Sequence, residues 1–174
     1  MTGKVRLVAV LAVLVVLLLS HRFGRAEPTA DYRPVLPPDA LTNGCYPLPG
    51  DVRFDFPYQV RTDGDVETSA GLRRQLVGQY DEIDEPEALA SIVDAFRDAG
   101  FSELADPGEH DAVLRKPGEG VVRVQVEQLP DVEEDTIVRG TFELDLPVAR
   151  RQPDAPEICD DPKSTKRWDE GGVR

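Results

Sequence analysis

Cys45 and Cys159 are the residues whose chemistry is easiest to assign. Both lie just outside the stretch that reads as folded, and neither has a second cysteine at the C-x-x-C spacing of a redox or zinc site. In an oxidising compartment such a pair closes one disulfide, joining the segment that leads into the domain to the segment that leaves it. A bridge around a loop this long stabilises a fold by about 4–5 kcal/mol in the chain-entropy description.

Catalytic chemistry is harder to find. The two histidines are His21, at the boundary of an apolar run, and His110, between Glu109 and Asp111 in a polar loop. A lone loop histidine reads as a solvated group, and without a second histidine in the exported part the common histidine zinc sites are excluded. Ser69, Ser91, Ser102 and Ser164 all lack the G-x-S-x-G elbow of a nucleophilic serine. Asp63, Asp65 and Glu67 alternate as calcium ligands do. An EF-hand starting at Asp63 needs glycine at its sixth position and glutamate at its twelfth, where this chain has Thr68 and Arg74. These acids therefore read as a solvated turn. Asp81, Glu82, Asp84, Glu85 and Glu87 surround a helix start, where negative charge complements the macrodipole. Asp131, Glu133, Glu134 and Asp135 crowd a loop tip. Gly118 and Gly120 precede a strand, so they form a turn and not a phosphate cradle. No catalytic residue, cofactor or metal is expected. The enzymatic alternative is a small exported hydrolase using surface carboxylates, with or without calcium.

The elements that would position these groups follow from periodicity. Val52, Phe54, Phe56, Tyr58 and Val60 alternate with polar residues, which predicts a strand, placed at an edge by Pro57. A second strand runs through Leu72, Leu76 and Tyr80, with Gly78 marking a bulge or a close approach. Residues 85–99 form a helix: Asp84 caps it, Pro86 and Glu87 occupy its first turn, and Leu89, Ile92, Val93 and Phe96 make one apolar stripe. Gly100 ends it and Phe101 folds back. Strands follow at 112–115, through Val122, Val124 and Val126, and through Val138, Phe142, Leu144 and Leu146. The fold class is α+β: a two-layer sandwich in which a mainly antiparallel sheet of about five strands, in the order ββαβββ, is covered by one helix. The wet face of that sheet is the candidate partner-binding surface, with Arg53, Arg123, Gln125, Glu127, Arg139 and Glu143 as its principal residues and Gln59, Thr141 and Asp145 beside them. The same residues also suit cross-strand pairing.

Around this core, spanning 51–150, lie three other regions. Residues 1–26 contain thirteen consecutive apolar residues, 7–19, behind Lys4 and Arg6. They are expected to be a signal segment or a retained membrane anchor. Kept in place, residues 5–23 make a helix of about 28 Å, close to a bilayer core. Arg22 and Arg25 disfavour cleavage, so a single-pass membrane protein is expected, with secretion after cleavage as the alternative. Residues 27–50 carry six prolines and read as a stalk or a strap. Residues 151–174 read as a charged tail, mostly irregular beyond Cys159. The first 26 residues hold four cations and no acid, leaving 16 cations against 33 acids, a net charge of −17, for the remainder. Such a surface repels nucleic acid and anionic lipid headgroups. Arginine-rich, lysine-poor usage points to a high-GC bacterium. The expected function is a membrane-tethered extracytoplasmic domain with a non-catalytic binding or accessory role at a bacterial cell envelope. Its partners are the bilayer, through residues 5–23, and an envelope protein or cell-wall glycan. A subunit of a membrane complex is a further alternative.

Overall fold

Alternating apolar and polar side chains build a sheet with one dry and one wet face. A computed structural model of the chain describes residues 38–69, 71–149, 151 and 154–167. The elements run β1 (Tyr58–Thr68), β2 (Gly71–Asp81), α1 (Glu85–Asp98), β3 (Ser102–Glu103), β4 (Ala112–Lys116), β5 (Gly120–Gln128) and β6 (Val138–Leu146). The sheet order is β1-β2-β6-β5-β4-β3, and every neighbouring pair is antiparallel. The α+β class is as expected, but six strands replace five. The additional strand, β3, is a two-residue edge that pairs Ser102 with Arg115 and Glu103 with Leu114. Two polar residues carry no periodicity from which it could be read. Among the described residues no helix is long and apolar enough to cross a membrane. The predicted span 5–23 lies outside them.

Helix α1 forms for local reasons. The Asp84 carboxylate accepts the Glu87 N–H at 2.9 Å, and Pro86 lies in the first turn. Ala88, Ile92, Val93 and Phe96 are buried. Gly100 takes φ +88°, and Phe101 turns back to place its ring 5.2 Å from that of Phe96. The helix lies over β3, β4 and β5. A helix about 10 Å wide spans roughly two strand spacings of about 4.8 Å, so it leaves half the apolar face bare.

A strap from the amino-terminal side covers that half, which corrects the expectation of a single helical cover. Leu48, Val52 and Phe56 are buried with the core. The Phe54 ring lies 6.3 Å from Phe96 of α1 and 5.9 Å from Phe142 of β6. Residues 52–56 are therefore not the first strand. An extended strap satisfies the same period of two, and the ladder begins only at Tyr58. The expected turn around Asp63-Gly64-Asp65 is the middle of β1. A bulge between Val60 and Thr62 shifts the register, so that Val60 and Asp63, three residues apart, both face inward.

Two sheet glycines make room for rings. Gly78 of β2 lies opposite Phe142 of β6, and Tyr80 of β2 opposite Gly140 of β6. A Cβ on Gly78 would overlap the Phe142 ring, and one on Gly140 would overlap the Tyr80 phenol. Gly78→Ala should therefore cost about 1–3 kcal/mol through overpacking, read as a lower urea midpoint with an unchanged slope.

Tyr80 has no exposed surface. Burial, then the Glu85 and Asp84 carboxylates, push its phenol up to about 12 from an ordinary value of 10.0. The preference for the neutral form is fully present below pH 10 and disappears as pH rises towards 12. Between those values the protein should lose about 2–3 kcal/mol of stability. Denaturation midpoints across this range should fall more steeply for the native chain than for Tyr80→Phe.

Candidate functional site

Two features organise the surfaces of the domain: a clamp that joins its two ends, and the uncovered face of the sheet.

The clamp begins with the disulfide Cys45–Cys159, which spans 114 positions with Cα atoms 5.4 Å apart. Both cysteines are buried. Hydrogen bonds reinforce it, from the Ala40 backbone N–H to Thr165 O at 2.9 Å and from the Asn43 side-chain amide to Ser164 O at 2.6 Å. Beneath it lies Arg74 of β2, with no exposed surface. Its Nε and Nη2 donate to the Asp63 carboxylate at 2.8 and 2.7 Å. Nη1 donates to Pro47 O and Nη2 to Tyr46 O, both at 2.9 Å. Arg167 completes the group, donating to Asp63 Oδ1 at 3.0 Å and Asp65 Oδ2 at 2.8 Å while stacking on the Tyr46 ring at 4.3 Å. Two guanidinium groups thus balance two carboxylates in a site nearly closed to water.

Of the acids read from the sequence as a solvated turn or calcium loop, Asp63 and Asp65 are therefore paired with the chain's own arginines, whereas Glu67 is exposed. The bulge in β1 turns Asp63 and Asp65 towards the covered side. A usable signal existed in β2: alternation through Leu72, Leu76 and Tyr80 puts Arg74 on the apolar side. The part played by Arg167, 104 residues from Asp63, carried no local sign.

The described part of the tail contains two short turns. Glu157–Asp160 forms a 3-10 turn and Pro162–Thr165 a helical turn. The Asp161 side chain caps the latter by accepting the Lys163 N–H at 3.0 Å and the Ser164 hydroxyl at 2.7 Å. The Ser164 hydroxyl, then the Lys163 N–H, hold the exposed Asp161 carboxyl below the usual range. Lys166, at φ +55°, leads the chain onto the free edge of β1. There Lys166 O accepts the Asp63 N–H at 3.0 Å, and Lys166 Nζ donates to Val60 O at 2.6 Å.

On the outer face the structure brings together five of the six anticipated residues. Arg123, Gln125 and Glu127 project from β5, and Arg139 and Glu143 from β6; Gln125 lies opposite Glu143 and Glu127 opposite Thr141. Arg53 is elsewhere, exposed on the strap beside Phe54. Arg73 of β2, which was not anticipated, joins Arg123 in gripping Asp145, each at 2.7 Å. The Gln75 amide donates to Glu143, and Arg139 Nη2 to Glu134 O at 2.6 Å. Between Val77, Gln125, Glu127, Thr141 and Glu143 lies a dimple of about 110 Å³.

Two larger grooves, of about 490 and 670 Å³, border the strap. Among the described residues neither is lined by histidine, serine or cysteine. Tyr58, in the second, has its phenol pushed up by burial and then by Asp39. Among the described residues no group of three or more His, Cys, Asp or Glu could hold a metal ion.

Removing one partner from the buried pair should be far more damaging than breaking a pair on the open face. Arg74→Met leaves Asp63 buried with only Arg167, and should cost about 3–5 kcal/mol. Arg123→Met should cost about 1 kcal/mol or less. Urea unfolding at neutral pH distinguishes the two. Comparison of the chain with family models, with curated proteins and with solved structures gave no match.

Proposed function

We propose that this chain is a non-catalytic, extracytoplasmic binding domain, held at a bacterial cell membrane by residues 5–23, which engages another envelope protein through the outer face of its sheet. The observation that carries this reading is the asymmetry of the sheet. Its inner face is covered by α1 and the strap, whereas the outer face presents long polar side chains from β2, β5 and β6 with no element laid across them among the described residues. The clamp supports the compartment, because a buried disulfide between distant segments suits an oxidising environment. The apolar run behind Lys4 and Arg6 supports the tether.

A protein partner is favoured over a cell-wall glycan by where the rings are. Sugars are commonly held by stacking their C–H faces on aromatic side chains. Phe54, Phe56, Phe96, Phe101 and Phe142 belong instead to the core or the cover packed on it. The outer face offers amides and carboxylates, which suit the polar groups of another chain. A partner within a membrane complex fits the same chemistry.

Incorporating a photo-cross-linking residue at Gln125 in living cells tests this. One discrete adduct with an envelope protein is expected from Gln125, and none from the same residue placed at Glu109, in the loop before β4. Equal, diffuse capture from both positions, or none from Gln125, would refute a docking role for the face.

A further inference from the structure

Charge on the outer face is unevenly compensated. Arg73 and Arg123 are both committed to Asp145. Among the described residues Glu143 accepts only the Gln75 amide, and Glu127 has no side-chain hydrogen bond or ion pair. Arg139, also on this face, directs Nη2 to the Glu134 carbonyl. Glu127 and Glu143 are diagonal neighbours on β5 and β6, because Glu127 faces Thr141 and Gln125 faces Glu143. Side chains so related lie about 7–8 Å apart at their bases, and like charges placed there oppose folding weakly. They flank the dimple, whose remaining walls are Val77, Gln125, Thr141 and Phe142.

Size and charge restrict what can enter. A space of about 110 Å³ is well below the roughly 300–1,000 Å³ of pockets that enclose small-molecule ligands. It does suit the head of one long side chain. Two carboxylates separated in this way also do not converge as the several oxygens of a calcium site must, at about 2.3–2.6 Å from one ion. A planar guanidinium, with donors on both edges, can bond to both.

We propose that the dimple receives an arginine or lysine side chain from a basic, extended segment of the partner protein. Glu127 and Glu143 accept from its cationic head, and the amides of Gln75 and Gln125 lie beside its backbone. The inference rests on the outer face being the docking surface. A net charge of −17 beyond residue 26 draws such a segment in from a distance, and the dimple fixes where it settles.

The test separates a specific pocket from a general acidic field. The detergent-solubilised full chain is titrated into a fluorescent ten-residue peptide of alternating arginine and serine at 0.15 M salt, with binding followed by anisotropy. Two variants remove the same charge: E127Q/E143Q at the dimple, and E134Q/D135N at the exposed tip of the β5–β6 loop. The first should weaken binding at least tenfold and the second less than twofold. Equal losses, no loss from E127Q/E143Q, or no binding by the native chain would overturn the proposal. The two readings can also fail separately. A cross-link from Gln125 in cells that survives E127Q/E143Q removes the cation pocket and leaves the docking face. Peptide binding that behaves as expected, with no cross-link in cells, removes the docking role and leaves the pocket.

Discussion

A guanidinium sealed into the apolar side of a sheet sets the terms for its surroundings. Arg74 has no exposed surface, so its donors must be met within the protein. Asp63 meets two of its hydrogen bonds, and the carbonyls of Tyr46 and Pro47 meet two more. The carboxylates of Asp63 and Asp65 then need a second cation, which Arg167 brings from the tail. Losing the strap would leave two Arg74 hydrogen bonds unmet, and losing the tail would take the second cation from Asp63 and Asp65. Buried ion pairs of this kind often contribute less net stability than well-packed apolar groups would. Their effect here is to specify one place for the strap and the tail relative to the sheet.

The apolar side is finished by division of labour. The helix covers β3 to β5, and the strap covers the rest with Leu48, Val52, Phe54 and Phe56. Because each ring from β2 or β6 needs space over the adjoining strand, Gly78 and Gly140 supply it in a reciprocal arrangement. The core is thus closed by two covers of different kinds, only one of which is regular secondary structure.

How much of this was legible in the sequence depended on whether the determinants were local. Helix α1 could be read because its cap, its stripe and its terminating glycine lie within 17 residues, 84–100. Strands β5 and β6 could be read because their alternation is uninterrupted. The first strand was misplaced because an extended strap and a strand share a period of two; only pairing separates them. The bulge near Arg61, which turns Asp63 inward, is a property of the β1–β2 ladder and not of the local sequence. The disulfide was readable from two cysteines with no other partner. Of the open face, the β5 and β6 residues followed from alternation, whereas Arg53 followed the misplaced strand and Arg73 escaped notice beside an irregular one.

The position of the Cys45–Cys159 bridge has a mechanical consequence. Strands β1 to β6 and helix α1 all lie between the two cysteines. Tension applied along the chain from before residue 45 to beyond residue 159 is transmitted through the sulfur–sulfur bond, and the intervening ring is spared the load. Only the chain outside the ring can be stretched by such a pull, so the exposed face would keep its shape while the segments on either side were drawn tight.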